Sequence, residues 1–170
     1  MTRALAVGVV VLLVLAVWGL MLLGWRRRGG RQLAAGPDGA GLPEPARPTG
    51  PATGRGFEGV YVSTTSHGDW LDRVVAHGLG TRSQVSAHVE PDGVALRRTG
   101  APSVLIRKAD LVGAGRAAGM AGKFVARDGL AVITWRLGQS TLDTGLRLRR
   151  GAETAELVAA VQALIEGGDK

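Results

Sequence analysis

The chain has 170 residues, a formal net charge of +7 at pH 7 and no cysteine, which excludes disulfides, a thiolate nucleophile and cysteine metal sites. Residues 1–56 carry seven arginines against Asp38 and Glu44, whereas residues 57–170 carry fourteen basic residues against twelve acidic ones. A nucleic-acid-binding domain concentrates basic charge within its own fold, so this distribution argues against nucleic acid as a partner.

The first predicted element is a transmembrane helix from Ala4 to Trp25. These 22 residues contain no charge and no proline. At a rise of about 1.5 Å per residue they are long enough to cross a hydrocarbon core of roughly 30 Å. Trp25 is expected at the membrane interface, followed by the basic residues Arg26, Arg27 and Arg28.

A cleaved signal peptide is the alternative interpretation of this stretch. Its apolar region would be about 7 to 15 residues long and would end at a small-residue cleavage site. Here the run is longer and is followed directly by arginines. Because basic residues flank the cytoplasmic side of a span, the sequence predicts a single-pass plasma-membrane protein with its C-terminal domain in the cytoplasm.

The second predicted region is a linker. Residues 29–56 are rich in glycine and proline and have no apolar periodicity, so we expect a flexible tether. A recognition role for Pro43 to Pro51 is the alternative. The predicted organisation is therefore a membrane anchor with a basic flank over 1–28, a linker over 29–56 and one domain over 57–170.

The domain is predicted to contain mainly short antiparallel strands. Alternation is clearest from Ser83 to Glu90, where Val85, Ala87 and Val89 share one face. A short helix is expected after Asp69, and Asp128-Gly129 predicts a hairpin between Lys123–Arg127 and Leu130–Leu137. The other predicted strands are Phe57–Thr65, Val94–Arg98, Ser103–Lys108, Leu111–Arg116 and Ser140–Arg149.

The last predicted element is an amphipathic helix from Glu153 to Glu166, with Leu157, Val161 and Leu164 in its apolar stripe. Seven or eight strands followed by such a helix predict a mainly-β (α+β) fold. We expect a bent antiparallel sheet or open barrel that the C-terminal helix caps. A pleckstrin-homology-like (PH-like) domain has this layout.

Two runs in the domain resemble a known family. They are VYVSTTSHGDWLDRVVAHGLG, from Val60 to Gly80, and AGKFVARDGLAVITWRLGQSTLDTGLR, from Ala121 to Arg147. Both are similar to actinobacterial single-span membrane proteins that carry a bacterial PH-like domain and are often labelled transporters or export proteins. The resemblance implies a fold and a membrane topology, and it supplies no catalytic or ligand residues.

Motifs for catalysis and metal binding are weak. His67, Asp69, Asp72 and His77 are close in sequence but lack a metal-ligand spacing, and Gly113–Lys123 fits no phosphate-loop template. No serine has an evident base partner. We therefore expect no enzyme activity, no catalytic residues, no metal and no cofactor.

Basic residues near predicted strand ends are the candidates for contacting an anionic ligand. A solvated, charge-balanced surface is the alternative for all of them. These candidates are Arg82, Arg97, Arg98, Arg107, Lys108, Arg116 and Lys123.

The sequence favours a membrane-tethered interaction or scaffold module that binds a protein partner at the inner face of the plasma membrane. Two alternatives are recognition of anionic lipid headgroups and a role as accessory subunit of a multi-span transporter, since one span cannot line a solute path alone.

Overall fold

A computed structural model describes residues 7, 9, 11–21, 41–120, 123–124 and 129–167, with backbone only at 123–124. Residues 11–21 are helical, and their side chains are exposed. Within the residues so described, no helix is both long enough and apolar enough to cross a membrane. The predicted anchor over 4–25 falls partly outside these residues, and Trp25, Arg26, Arg27 and Arg28 lie outside them entirely.

The strands within the described residues are β1 Gly56–Ser66, β2 Ser83–Glu90, β3 Gly93–Thr99, β4 Val104–Arg107, β5 Leu111–Ala117, β6 Gly119–Met120, β7 Lys123–Phe124, β8 Leu130–Leu137 and β9 Ser140–Leu148. Seven of them form one antiparallel sheet, in the order β4-β3-β2-β1-β9-β8-β5. Two further strands, β6 and β7, form a small separate ribbon.

Strand β1 lies at the centre and joins the two halves of the sheet. Its first residues pair with β2, and Gly59–Ser66 pair with β9. The register shifts between Tyr61 and Ser63, which marks a β-bulge. A bulge bends the strand and increases its twist, so one long strand can serve both halves of a curved sheet.

The C-terminal helix α1, Ala152–Glu166, packs mainly against β5 and β8. Its Leu157 and Val161 are fully buried in the main core, as the apolar stripe in the sequence predicts. The mainly-β fold with a capping C-terminal helix is thereby confirmed.

A chain of buried hydrogen bonds crosses this core. The Trp135 Nε1–H donates to Thr144 Oγ1 at 2.9 Å, and Thr144 Oγ1 lies 2.8 Å from Thr64 Oγ1. Thr64 Oγ1 contacts the Tyr61 hydroxyl, which donates to the Leu79 carbonyl at 3.0 Å. Because the indole only donates and the carbonyl only accepts, every hydroxyl between them must point its proton towards Leu79.

Two local predictions differ from the structure. Asp69 Oδ1 accepts hydrogen bonds from the backbone N–H groups of Leu71 and Asp72, which makes a turn and not the expected helix. Only a short 3-10 turn, Ala76–Gly78, follows in this connection. Strand β8 pairs with β5 and β9, and Lys123–Phe124 pair with β6, which differs from the hairpin that Asp128-Gly129 predicts. Residues 125–128 of that predicted hairpin lie outside the described residues.

A candidate interaction surface formed by an N-terminal strap

Residues 41–55 form a strap that contacts the β1–β2 connection, β3, β4 and α1. Three strap carbonyls accept hydrogen bonds from the domain, at intervals of four residues. The Leu42 carbonyl accepts from His77 Nε2 at 2.7 Å, and the Ala46 carbonyl accepts from the Leu105 N–H of β4, also at 2.7 Å. The Gly50 carbonyl accepts from Arg97 Nη2 at 2.8 Å. This half of the segment predicted to be a flexible linker is therefore bound to the domain.

Burial along the strap follows a period of about three residues. Pro45 is buried, and Leu42 and Pro48 are half-buried, whereas most residues between them are exposed. Leu42 also packs against the main core. Polyproline II has three residues per turn, so one face of such a helix presents every third side chain. The pattern indicates that the strap binds through one apolar face and through its backbone carbonyls.

The C-terminal end of the strap reaches helix α1. Arg55 forms ion pairs with Glu153, at 3.2 Å, and with Glu156, and its guanidinium lies 5.3 Å from the centre of the Phe57 ring. The Thr53 N–H donates to Glu90 Oε1 at 3.1 Å. The strap thus crosses from the β1–β2 connection to the C-terminal helix.

A cavity of about 230 Å³ lies between the strap, β4 and the end of β8. Arg107 and Arg136 line it, and neither forms an ion pair with another of the described residues. Glu44 and Asp110 also line the cavity, but Glu44 is paired with Arg47. The unpaired charges facing this cavity are therefore two cations and one carboxylate, which favours a small anion over a cation.

Arg98, one of the candidate anion-binding residues, is buried, and its guanidinium forms hydrogen bonds within the domain. It donates to Ser83 Oγ at 2.9 Å and to the carbonyls of Pro102, Gly78 and Thr81. Its guanidinium lies 3.8 Å from the centre of the Tyr61 ring. Burial lowers the pKa of Arg98, and the neighbouring Tyr61 opposes that shift. This arginine fastens two loops to the core.

The other candidate residues are distributed over several elements. Arg97 binds the strap, and Arg107 lines the cavity. Arg82 and Arg116 are exposed, on the β1–β2 connection and on β5, and Lys108 is half-buried. The Lys123 side chain lies outside the described residues. The described members therefore do not converge on one site.

Sequence reasoning missed Leu42 and Arg136 on this surface. It weighed His77 only as a metal ligand, and it gave a recognition role for Pro43 to Pro51 only as the alternative to a flexible linker. The available signal was the proline spacing, because Pro45, Pro48 and Pro51 follow one another at intervals of three. His77 has a further distinctive feature, which only the structure shows. Its backbone has φ of 52°, a conformation uncommon outside glycine, and this places the ring against the strap.

The four residues weighed as a metal site have separate partners. His67 Nδ1 contacts the Asp143 carboxylate at 3.0 Å, and Asp72 accepts from Ser66 Oγ at 2.7 Å. Asp69 caps its own turn, and His77 binds the strap. Over the part of the chain that the structure describes, no group of three or more histidine or acidic side chains could hold a metal ion.

Comparison with known proteins gives one match. A family model described as bacterial PH domain-like matches residues 39–162, so the match begins in front of the strap and ends within α1. No curated protein and no solved structure matches the chain.

Proposed function

The chain belongs to the bacterial PH domain-like family, and from this premise we propose that it is an interaction module that binds a protein partner at the inner face of the plasma membrane. PH-like domains are generally non-catalytic interaction modules. The proposed module is held in place by the apolar N-terminal segment.

The observation that carries the proposal is the strap itself. The domain already binds one proline-rich segment, through the side chains of His77 and Arg97 and the backbone N–H of Leu105. A surface that recognises carbonyl groups and spaced apolar side chains is suited to protein segments.

The membrane part of the proposal is supported by the sequence of the N-terminal segment. It combines 22 uncharged residues with a following cluster of arginines, which favours a cytoplasmic domain. Tethering would raise the concentration of the domain near membrane partners without requiring further contacts.

Cross-linking in cells tests the proposal. The tagged full chain would be cross-linked, extracted in mild detergent and purified, and the captured proteins would be identified by mass spectrometry. The matched control is residues 1–40 fused to an unrelated domain. We expect a protein that the full chain captures reproducibly and the control does not. Identical captured sets would contradict the proposal, and capture of a multi-span transporter would identify the chain as its accessory subunit.

A second candidate function, recognition of an anionic headgroup, is favoured by Arg107 and Arg136 in the cavity. Titration of the full chain in neutral detergent with glycerol phosphate tests it. Replacing both arginines with alanine should abolish binding, whereas Arg116→Ala, on β5, should not. Equal loss in both variants would indicate unspecific charge attraction.

A further inference from the structure

We propose that the surface beneath the strap, which includes His77, Arg97 and Leu105 and is called the groove here, binds extended, proline-rich segments of other chains. The strap is then its resident competitor. The inference rests on the proposed function, because it names the class of partner and the means of regulation of the same surface. It requires that the groove recognise a residue pattern that other chains can also carry. It also requires that a segment of another chain can displace the strap.

The recognised pattern is simple. The domain contacts the strap through three backbone carbonyls and through the face that contains Leu42, Pro45 and Pro48. Carbonyls are common to all segments, so selectivity comes from apolar or proline residues at every third position. Proline also favours the extended conformation before binding, which reduces the entropy lost when a segment binds.

The strap is weakly held for a segment of this length. All side chains from Thr49 to Arg55 are exposed. Among the described residues, one backbone hydrogen bond joins the strap to the edge of β4, at Leu105. The ion pairs of Arg55 are partly solvated and contribute little to binding. Leu42 and Pro45 are therefore its main anchors.

The strap competes because it is part of the same chain. A covalently attached segment acts at an effective concentration that reaches the millimolar range for short connections. A partner segment with the same contacts must then bind from solution against this local competitor. A partner that is itself held at high local concentration would displace the strap more readily.

A synthetic peptide with the sequence of residues 41–55 tests the inference. Its binding would be measured by fluorescence anisotropy to the full chain and to the full chain carrying Leu42→Asp and Pro45→Asp, both in mild detergent. We expect the double variant to bind the peptide at least about tenfold more tightly, since its own strap no longer competes. The chain carrying Thr49→Ala, an exposed strap position, is the matched control and should bind like the unmodified chain.

A second measurement covers the case in which the double variant fails to fold. Because the chain has no cysteine, Leu105→Cys places a single thiol in the groove of the otherwise unmodified chain. A peptide with cysteine at the position of Ala46, activated as its mixed disulfide with thionitrobenzoate, should exchange with this thiol and release thionitrobenzoate. The exchange should be faster than that of an equally activated peptide in which Leu42 and Pro45 are also replaced by aspartate. Equal trapping rates, or peptide binding that a folded double variant does not improve, would overturn the inference.

The outcomes also separate the inference from the proposed function. Capture of a specific partner in cells together with failure of the peptide would retain the interaction module and reject the groove as its site. Binding of the peptide without a captured partner would retain the groove and reject the proposed cellular role.

Discussion

Arg98 illustrates how an arginine in a basic-residue pattern can be structural. Its sequence position, next to Arg97 at the end of a strand, is typical of a ligand-binding surface. Side chains alternate between the two faces along β3, so Arg97 lies on the outer face and Arg98 lies in the core. Arg98 is therefore not available to a ligand at the surface. Two adjacent arginines therefore have different roles: Arg97 binds the strap, and Arg98 holds two loops against the core.

Replacing Arg98 with alanine should destabilise the chain by about 3 kcal/mol, because three carbonyl groups lose a donor and the Tyr61 ring loses its cation. Lysine should restore less than half, since one ammonium cannot reproduce the fork of a guanidinium. Denaturant unfolding measures both. Arg97→Ala, the neighbouring control, should cost about 1 kcal/mol at most, and equal losses at the two positions would contradict this assignment.

Tyr61 should resist ionisation in the folded chain. Burial raises its pKa above the ordinary 10.0, although the bond to Thr64 and the charge of Arg98 act in the opposite direction. A raised pKa in the fold gives stability that is complete below about pH 10 and is lost as the pH rises towards the folded value, because the unfolded chain ionises first.

Since Tyr61 is the only tyrosine, the ultraviolet absorbance of tyrosinate reports on it alone. We expect ionisation to coincide with unfolding on the alkaline side, as followed by circular dichroism. Ionisation of the folded chain at the ordinary tyrosine pKa would show that the hydroxyl is accessible.

At the scale of elements, Gly93 is required where β3 starts. Its φ is 154°, and an added Cβ would lie 2.1 Å from the Ile106 carbonyl oxygen of β4. Gly93→Ala should therefore separate the two strands and cost about 3 kcal/mol. Gly100→Ala is the matched control, because Gly100 also has positive φ but open space around it, and should cost about 1 kcal/mol. Thermal unfolding of both variants would distinguish the steric effect from backbone strain.

The sequence predicted elements whose pattern is local. Val85, Ala87 and Val89 alternate inward as expected, and the apolar stripe of α1 enters the core. Predictions failed where pairing with another segment determines the local structure. Asp69 was predicted to cap a short helix, but its carboxylate closes a turn instead. Thr65 of β1 forms a bridge with Arg73 and keeps that connection extended.

The candidate surface was less predictable than the fold. Three carbonyl groups of the strap accept hydrogen bonds from the domain, and backbone groups leave no trace in the residue types. A segment that buries few side chains also lacks the hydrophobic pattern from which elements are inferred. Only the spacing of its prolines distinguishes it from a passive linker.

For the whole molecule, the predicted orientation has a direct test. In spheroplasts, a tag at the C-terminus should be protected from externally added protease and should become accessible after lysis. The expectation follows from the arginines after the apolar segment. Digestion in intact spheroplasts, with a cytoplasmic marker still protected, would place the domain on the opposite side.

The attachment of the strap also limits how far the domain can lie from the apolar N-terminal segment. With Leu42 fixed on the domain, the covalent chain from Met21 can extend no further than roughly 70 Å, at about 3.5 Å per residue. If the strap were released as far as Arg55, the limit would rise by about 45 Å. The same segment would then act as a stored length of tether. If the apolar N-terminal segment is held in a membrane, as proposed, occupation of the groove by a partner would extend the radius within which the domain can search that surface.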